Sequence, residues 1–208
     1  MSSIQKPKRP YHLFYSYADE DKTLLSKLEK HLSSLKQLGE IQDWNKRNVS
    51  AGKDWEHEVN GYMNKSSIIL LLISHHYIAS DYYYSREMTY AIQRSKEKKA
   101  IIIPIILRPC DWDLEEFPFR KYEVLPSNEK PVTEWSNQDK AFQDISRGIR
   151  KAVQNLREYE LELKVNQLHP SQYRPFKSIR IAQVNSEPQG TNKITQTVLT
   201  LGTTINSS

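Results

Sequence analysis

The chain has 208 residues, enough for one domain of about 150 residues with an extension. Its 30 basic and 25 acidic residues leave a net charge of +5. They are interspersed, with no dense basic tract beyond Lys6, Lys8 and Arg9, so a nucleic-acid partner is not expected. No apolar run reaches the roughly 18 residues of a membrane span, and MSSIQKPKRP lacks the apolar stretch of a secretory signal. One cysteine, Cys110, rules out an internal disulfide framework and fits a reducing cytoplasm. The six histidines include the pair His75-His76 but form no HxxxH or Cys/His array, so no metal is expected. That pair reads as a polar exit from a strand into a loop.

Tyr11 to Tyr17 (YHLFYSY) reads as a first strand, and Asp19-Glu20-Asp21 supplies acids suited to a helix N-terminus. Leu24, Leu25, Leu28, Leu32 and Leu35 recur at helical spacing through Lys36, and Gly39 closes that helix. Ile41 to Trp44 forms a short second strand, followed by a polar loop over 45–53 that contains Gly52. Trp55, Val59, Tyr62 and Met63 mark a second amphipathic helix. Ile68 to Ile73 is the most apolar run and reads as a strand buried on both faces. A third helix, about Tyr82 to Lys98, carries Met88, Ala91 and Ile92 inward. Ala100 to Leu107 is a fourth strand, where Pro104 predicts a bulge or an irregular edge. This alternation of strands and helices predicts a parallel sheet.

Residues 108–132 are irregular and Pro-rich, and a short element near Val132 to Trp135 precedes a helix from about Asp139. On that helix Ile145, Ile149, Ala152, Leu156, Tyr159 and Leu163 follow heptad spacing over fewer than three heptads. The stripe suits either a helix packed on the sheet with a frayed extension or a short coiled coil. From Pro170 the chain turns to Ser, Thr, Asn and Gln. Ser178 to Val184 and Ile194 to Leu201 alternate in strand fashion, so the tail is a flexible segment, a hairpin or a partner-binding strand.

Ser80 to Glu87 (SDYYYSRE) follows the most apolar strand. It therefore lies at a carboxyl end, where open α/β sheets place their ligand crevices. Glu87 has Tyr90 and Ala91 at i+3 and i+4, so no helical ion pair accounts for it. The alternative is an ordinary helix-surface glutamate. Tyr15, Ser16 and Tyr17, at the exit of the first strand, read as lining the same crevice, although core packing also accounts for the tyrosines. A lone nucleophilic cysteine is not supported, since Pro109-Cys110-Asp111 supplies neither a base nor a helix N-terminus.

FYSYADED, DWNKRNVSAGKDW, LLLISHHYIASDYYYSREM, IIPIILRPCDW, FRKYEVLP and PVTEW…DKAFQDISRGIRKAV occur in order. Together they resemble a Toll/interleukin-1 receptor (TIR) domain of the bacterial kind, over about residues 10–153. The resemblance implies a flavodoxin-like α/β three-layer sandwich with a central parallel sheet. Around it lie a basic segment (1–9), a helical extension (154–169) and a polar tail (170–208). Many such domains cleave NAD⁺ at the nicotinamide–ribose bond, and some cyclise the ADP-ribose.

The family's catalytic pattern falls on Ser74, Tyr77, Ser80, Tyr83, Tyr84 and Glu87, with Glu87 in the catalytic place. Tyr83 stands where a cysteine is common. Nicotinamide leaves as a neutral molecule, so the barrier lies in positive charge on the ribose, which a fixed carboxylate stabilises. Trp44, Tyr83 and Tyr84 are candidate aromatic walls, with Ser80 beside them. The loop after the second strand resembles the one that gates the pocket in this family, with Arg47 and Gly52 as its substrate-binding candidates. Arg47 reads equally as a solvated charge or a phosphate ligand. Asn45 departs from the usual acid there, and Ala51 from the usual proline. The resemblance thus implies NAD⁺ as substrate, no further cofactor, homotypic self-association, a cytoplasmic defence or signalling role, and a tail that can take part in assembly. The competing reading is a non-catalytic adaptor. A phosphoacceptor receiver fails, because the third strand ends Ile73-Ser74-His75 without an aspartate.

Overall fold

The computed structural model describes residues 9–44, 54–80 and 86–168. Its centre is a parallel sheet of strands β1 (Tyr11–Ser16), β2 (Ile41–Trp44), β3 (Ile68–Ile73) and β4 (Ile101–Ile106), in the order β2-β1-β3-β4. Helices α1 (Lys22–His31), α2 (Ser33–Gln37), α3 (Trp55–Lys65), α4 (His75–Ala79), α5 (Met88–Lys96) and α6 (Gln138–Leu168) complete the described fold. Every residue of β3 is buried, because helices cover both faces of the sheet.

Strand alternation separates two core layers. Leu13, Tyr15, Leu70 and Ile105 pack with α1, α2 and α6. Phe14, Ile69, Leu71 and Ile73 pack with α3 and α5. The result is a flavodoxin-like α/β three-layer sandwich carrying a long C-terminal helix. Strand order reverses between β1 and β3, so their carboxyl ends flank the crevice such folds use for ligands.

Local chemistry explains the boundaries and several departures from expectation. The leucine-rich helix is interrupted at Leu32, and the turn there keeps both Leu32 and Leu35 in the core. Gly39 stops α2 at φ 64°, with Gly39 N donating to Lys36 O (3.0 Å) and Glu40 N to Leu35 O (2.9 Å), a Schellman closure. His75 and His76 open α4 instead of leaving the strand as loop. Ser74 caps that helix, its Oγ accepting from Tyr77 N at 3.1 Å. Pro104 makes no bulge, since β4 stays in register with β3 throughout. Ile101 N and Leu107 N both donate to the β3 side, so the missing N–H of Pro104 faces the outer edge. There its carbonyl accepts from Leu125 N at 2.9 Å.

Helix α6 begins where Asn137 Oδ1 accepts from Asp139 N at 2.9 Å. Ile145, Ile149 and Val153 are buried on the sheet, and Leu156 packs at the margin. One turn further, Arg157 pairs with Glu40 at 2.5 Å and lies over the Tyr11 ring. Burial first, then the Glu160 carboxylate, pushes the Tyr11 phenol up to about 12. Beyond that point Tyr159, Leu161, Leu163 and Val165 are exposed on a continuous helix. The tail from 170 lies outside the described residues.

Gly148 of α6 faces Leu125, in the segment after β4. A Cβ there would sit 2.7 Å from both terminal methyl carbons of Leu125. Gly148→Ala gains about 1 kcal/mol of helix propensity but must displace a packed leucine at about 1–3 kcal/mol. A net loss of about 1 kcal/mol is expected by chemical denaturation, in place of the stabilisation that Gly→Ala gives on an open helix face.

Candidate functional site

The carboxyl edge of the sheet gathers a set of buried and half-buried polar side chains. Ser16 ends β1, Ser74 follows β3, and Arg108 lies just beyond β4. Glu87 enters from the segment that leads into α5. Arg86 and Glu87 adopt a π-helical turn there, a local irregularity often found at functional sites. The turn holds Glu87 only 3% exposed. Ser16 Oγ donates to Glu87 Oε2, and the same Oγ lies 2.9 Å from the Tyr77 hydroxyl. Ser16 and Tyr77 are both fully buried.

On its outer side Glu87 borders a pocket that it lines with Arg86 and with Glu56 and Asn60 of α3. Glu56 and Asn60 are one helical turn apart, so the same face of α3 presents both. Arg86 reaches across to pair with Glu56. Both partners are more than half exposed (64% and 58%), so their ion pair is weak and readily exchanged. The pocket thus joins a buried carboxylate to an exposed cation, a pattern suited to a substrate that carries charges of both signs.

A second cluster lies beside the first. Asp21 is fully buried, although it was expected only to start a helix. Its Oδ2 accepts from Ser74 Oγ at 2.5 Å and its Oδ1 from Arg108 Nε at 2.7 Å. Half-buried Cys110 follows closely. Burial, then the Asp111 and Asp21 carboxylates, pushes its thiol up from 9.0 to about 11. The thiolate is the reactive form. Alkylation of Cys110 by iodoacetamide at pH 7 is accordingly expected to run about 100-fold slower than for a free cysteine thiol, measured by mass spectrometry. A rate equal to the free thiol would show the site to be open.

The remaining expected site residues fall in different places. Tyr15 lies on the opposite face of the sheet from Ser16, as strand alternation demands, and its hydroxyl donates to Asp43 Oδ2 at 3.0 Å. It packs under α1 and not at Glu87. Trp44 belongs to the core between sheet and α3, stacking on Phe14 and Tyr62 with centroids at 5.5 and 4.2 Å. Its indole N–H is buried without an acceptor among the described residues. Ser80 ends α4, half-buried, its backbone N donating to Tyr77 O. Arg47, Gly52, Tyr83 and Tyr84 lie outside the described residues. Asn60, Glu56 and Asp21 were not singled out as site residues. Nothing in their local sequence distinguishes them from surface polar residues, because their partners are distant in the chain. Among the described residues no group of three or more His, Cys, Asp or Glu is placed to hold a metal, and no helix is long and apolar enough to cross a membrane.

Comparison with known proteins agrees with this architecture. The family model described as "TIR domain" matches residues 13–145. The chain is also 43% identical over 141 residues to an uncharacterized protein, y4lF, of Sinorhizobium fredii. That match covers 68% of this chain and 43% of the relative, so the chain spans less than half of the relative's length. The parallel sheet, the two helical layers and the matched segment lead to one conclusion: the chain belongs to the TIR domain family.

Proposed function

We propose that this domain hydrolyses NAD⁺ at the bond between nicotinamide and ribose, with Glu87 as the catalytic carboxylate. The observation that carries the reading is a glutamate held 3% exposed at the β1/β3 crevice, hydrogen-bonded by Ser16 and bordering a pocket. A buried carboxylate is costly unless it is hydrogen-bonded, and the Ser16 hydroxyl offsets part of that cost. The reaction consumes water and yields nicotinamide, ADP-ribose and one proton. Nicotinamide departs as a neutral base, so no general acid is needed. Positive charge builds on the ribose C1′ and its ring oxygen, and the fixed Glu87 carboxylate stabilises it without reorganising. Arg86, exchanging Glu56 for a phosphate, supplies the complementary charge. Attack by a ring nitrogen of the adenine in place of water would give the cyclic product from the same cation.

The family's tendency to self-associate supports action as a homotypic assembly in the cytoplasm, as a defence or signalling effector. The tail from 170 is a further candidate contact. The test is to incubate the full chain with NAD⁺, over a range of protein concentrations, and quantify free nicotinamide by chromatography. Release that depends on Glu87 supports the enzyme. Absence of release at every concentration and with crowding agents would favour a non-catalytic adaptor.

A further inference from the structure

We propose that Tyr77 is a positioning residue for Glu87, and that buried Asp21, paired with partly exposed Arg108, sets Tyr77 in place through Ser74. Proton inventory carries the first half. A serine hydroxyl has one proton. With that proton given to Glu87 Oε2, the 2.9 Å contact between Ser16 Oγ and the Tyr77 hydroxyl must have the phenol as donor. The path therefore has one polarity, Tyr77 to Ser16 to Glu87. Each bond polarises the next, and together they fix one carboxylate oxygen at the carboxyl end of β1.

The second half follows from what holds Tyr77. It lies on α4, a helix of five residues, too short to be stable by itself. Ser74 Oγ caps that helix at Tyr77 N while donating its own proton to Asp21 Oδ2, and Arg108 Nε occupies the other Asp21 oxygen. One hydroxyl thus ties the helix start to a carboxylate contributed by the turn between β1 and α1. A buried ion pair adds little net stability over an apolar replacement, whereas its directional bonds specify one arrangement. What it specifies here is the place of Tyr77.

The inference deepens the reading of Glu87 as the reacting group and rests on it for the kinetic arm alone. Full-length protein labelled with ¹³C at the glutamate δ-carboxyl reports on Glu87 directly, its NMR resonance assigned by loss in Glu87→Gln. The Glu87 signal is expected to move by more than its linewidth in Ser16→Ala, Tyr77→Phe and Asp21→Asn. It should stay in Tyr90→Phe, which removes a surface hydroxyl bonded to Asn64 on α3. An unmoved signal in Tyr77→Phe overturns the proposal. Should that variant not fold, Arg108→Gln supplies the same readout on a partly exposed residue, and an unmoved signal there overturns it equally. If wild type releases nicotinamide, Tyr77→Phe should lower kcat about fivefold, as for one lost hydrogen bond between neutral groups, with KM within twofold. A change confined to KM counts against positioning. A wild type that releases none defeats the catalytic reading and leaves the resonance test standing.

Discussion

Glu87→Gln is expected to lower nicotinamide release by about 100- to 1,000-fold, the range seen when one fixed electrostatic stabiliser is removed from an active site. The substitution is informative because it changes so little else. Gln matches Glu in shape and keeps a carbonyl oxygen that can accept from Ser16. The buried side chain therefore keeps its place, and the melting temperature should stay within about 2 °C of wild type. What disappears is the negative charge beside the ribose, the one property the chemistry needs. Glu87→Ala is a poorer test, since it also empties the space and leaves the buried Ser16 hydroxyl without its acceptor. If Glu87→Gln released nicotinamide at the wild-type rate, the carboxylate would have no catalytic role. The 3% exposure would then have to be explained as a core contact.

The strand boundaries show where sequence reasoning succeeds. Ile68–Ile73 stands out because composition changes sharply at both ends, and burial on both faces leaves β3 no polar residue, whereas Ile41–Trp44 shows only as two apolar ends between Gly39 and a polar loop. The position of Glu87 after β3 was legible for the same reason. Helix α4 was not, since five residues are too few to show a helical period and its two histidines suggest a loop. Period-2 alternation should have separated Tyr15 from Ser16, because neighbours on a strand face opposite layers. Asp21 marks the real limit. Its local context, Asp19-Glu20-Asp21, reads as a solvated helix start, and Asp19 does behave so, pairing with exposed Lys22 at 3.5 Å. Asp21 is buried only because Ser74 and Arg108 arrive from positions 53 and 87 residues away. Such a site is created by topology, and a single sequence read alone carries no trace of the pairing.

Helix α6 offers the second large effect and a built-in control. Its apolar stripe, Ile145 through Leu163, looks uniform in sequence, yet the fold treats its two ends differently. Ile149 is fully buried in the layer with α1, whereas Leu163 is 43% exposed on the part of the helix that has left the sheet. Truncating a buried isoleucine loses its transfer free energy and leaves a cavity that a packed parallel sheet cannot collapse. Ile149→Ala is therefore expected to cost about 2–5 kcal/mol, lowering the melting temperature by roughly 5–15 °C. Leu163→Ala removes the same kind of side chain from the same stripe but should change stability by about 0.5 kcal/mol or less in the isolated chain. Calorimetry on the two variants at low protein concentration decides the matter. Comparable losses would mean that the far end of α6 is packed against something in solution. The expected contrast would place the main contribution of α6 to stability before Arg157, which pairs with Glu40 beside the sheet. A stripe that is core at one end and surface at the other leaves Leu163 free to be changed in assembly experiments without disturbing the site at Glu87.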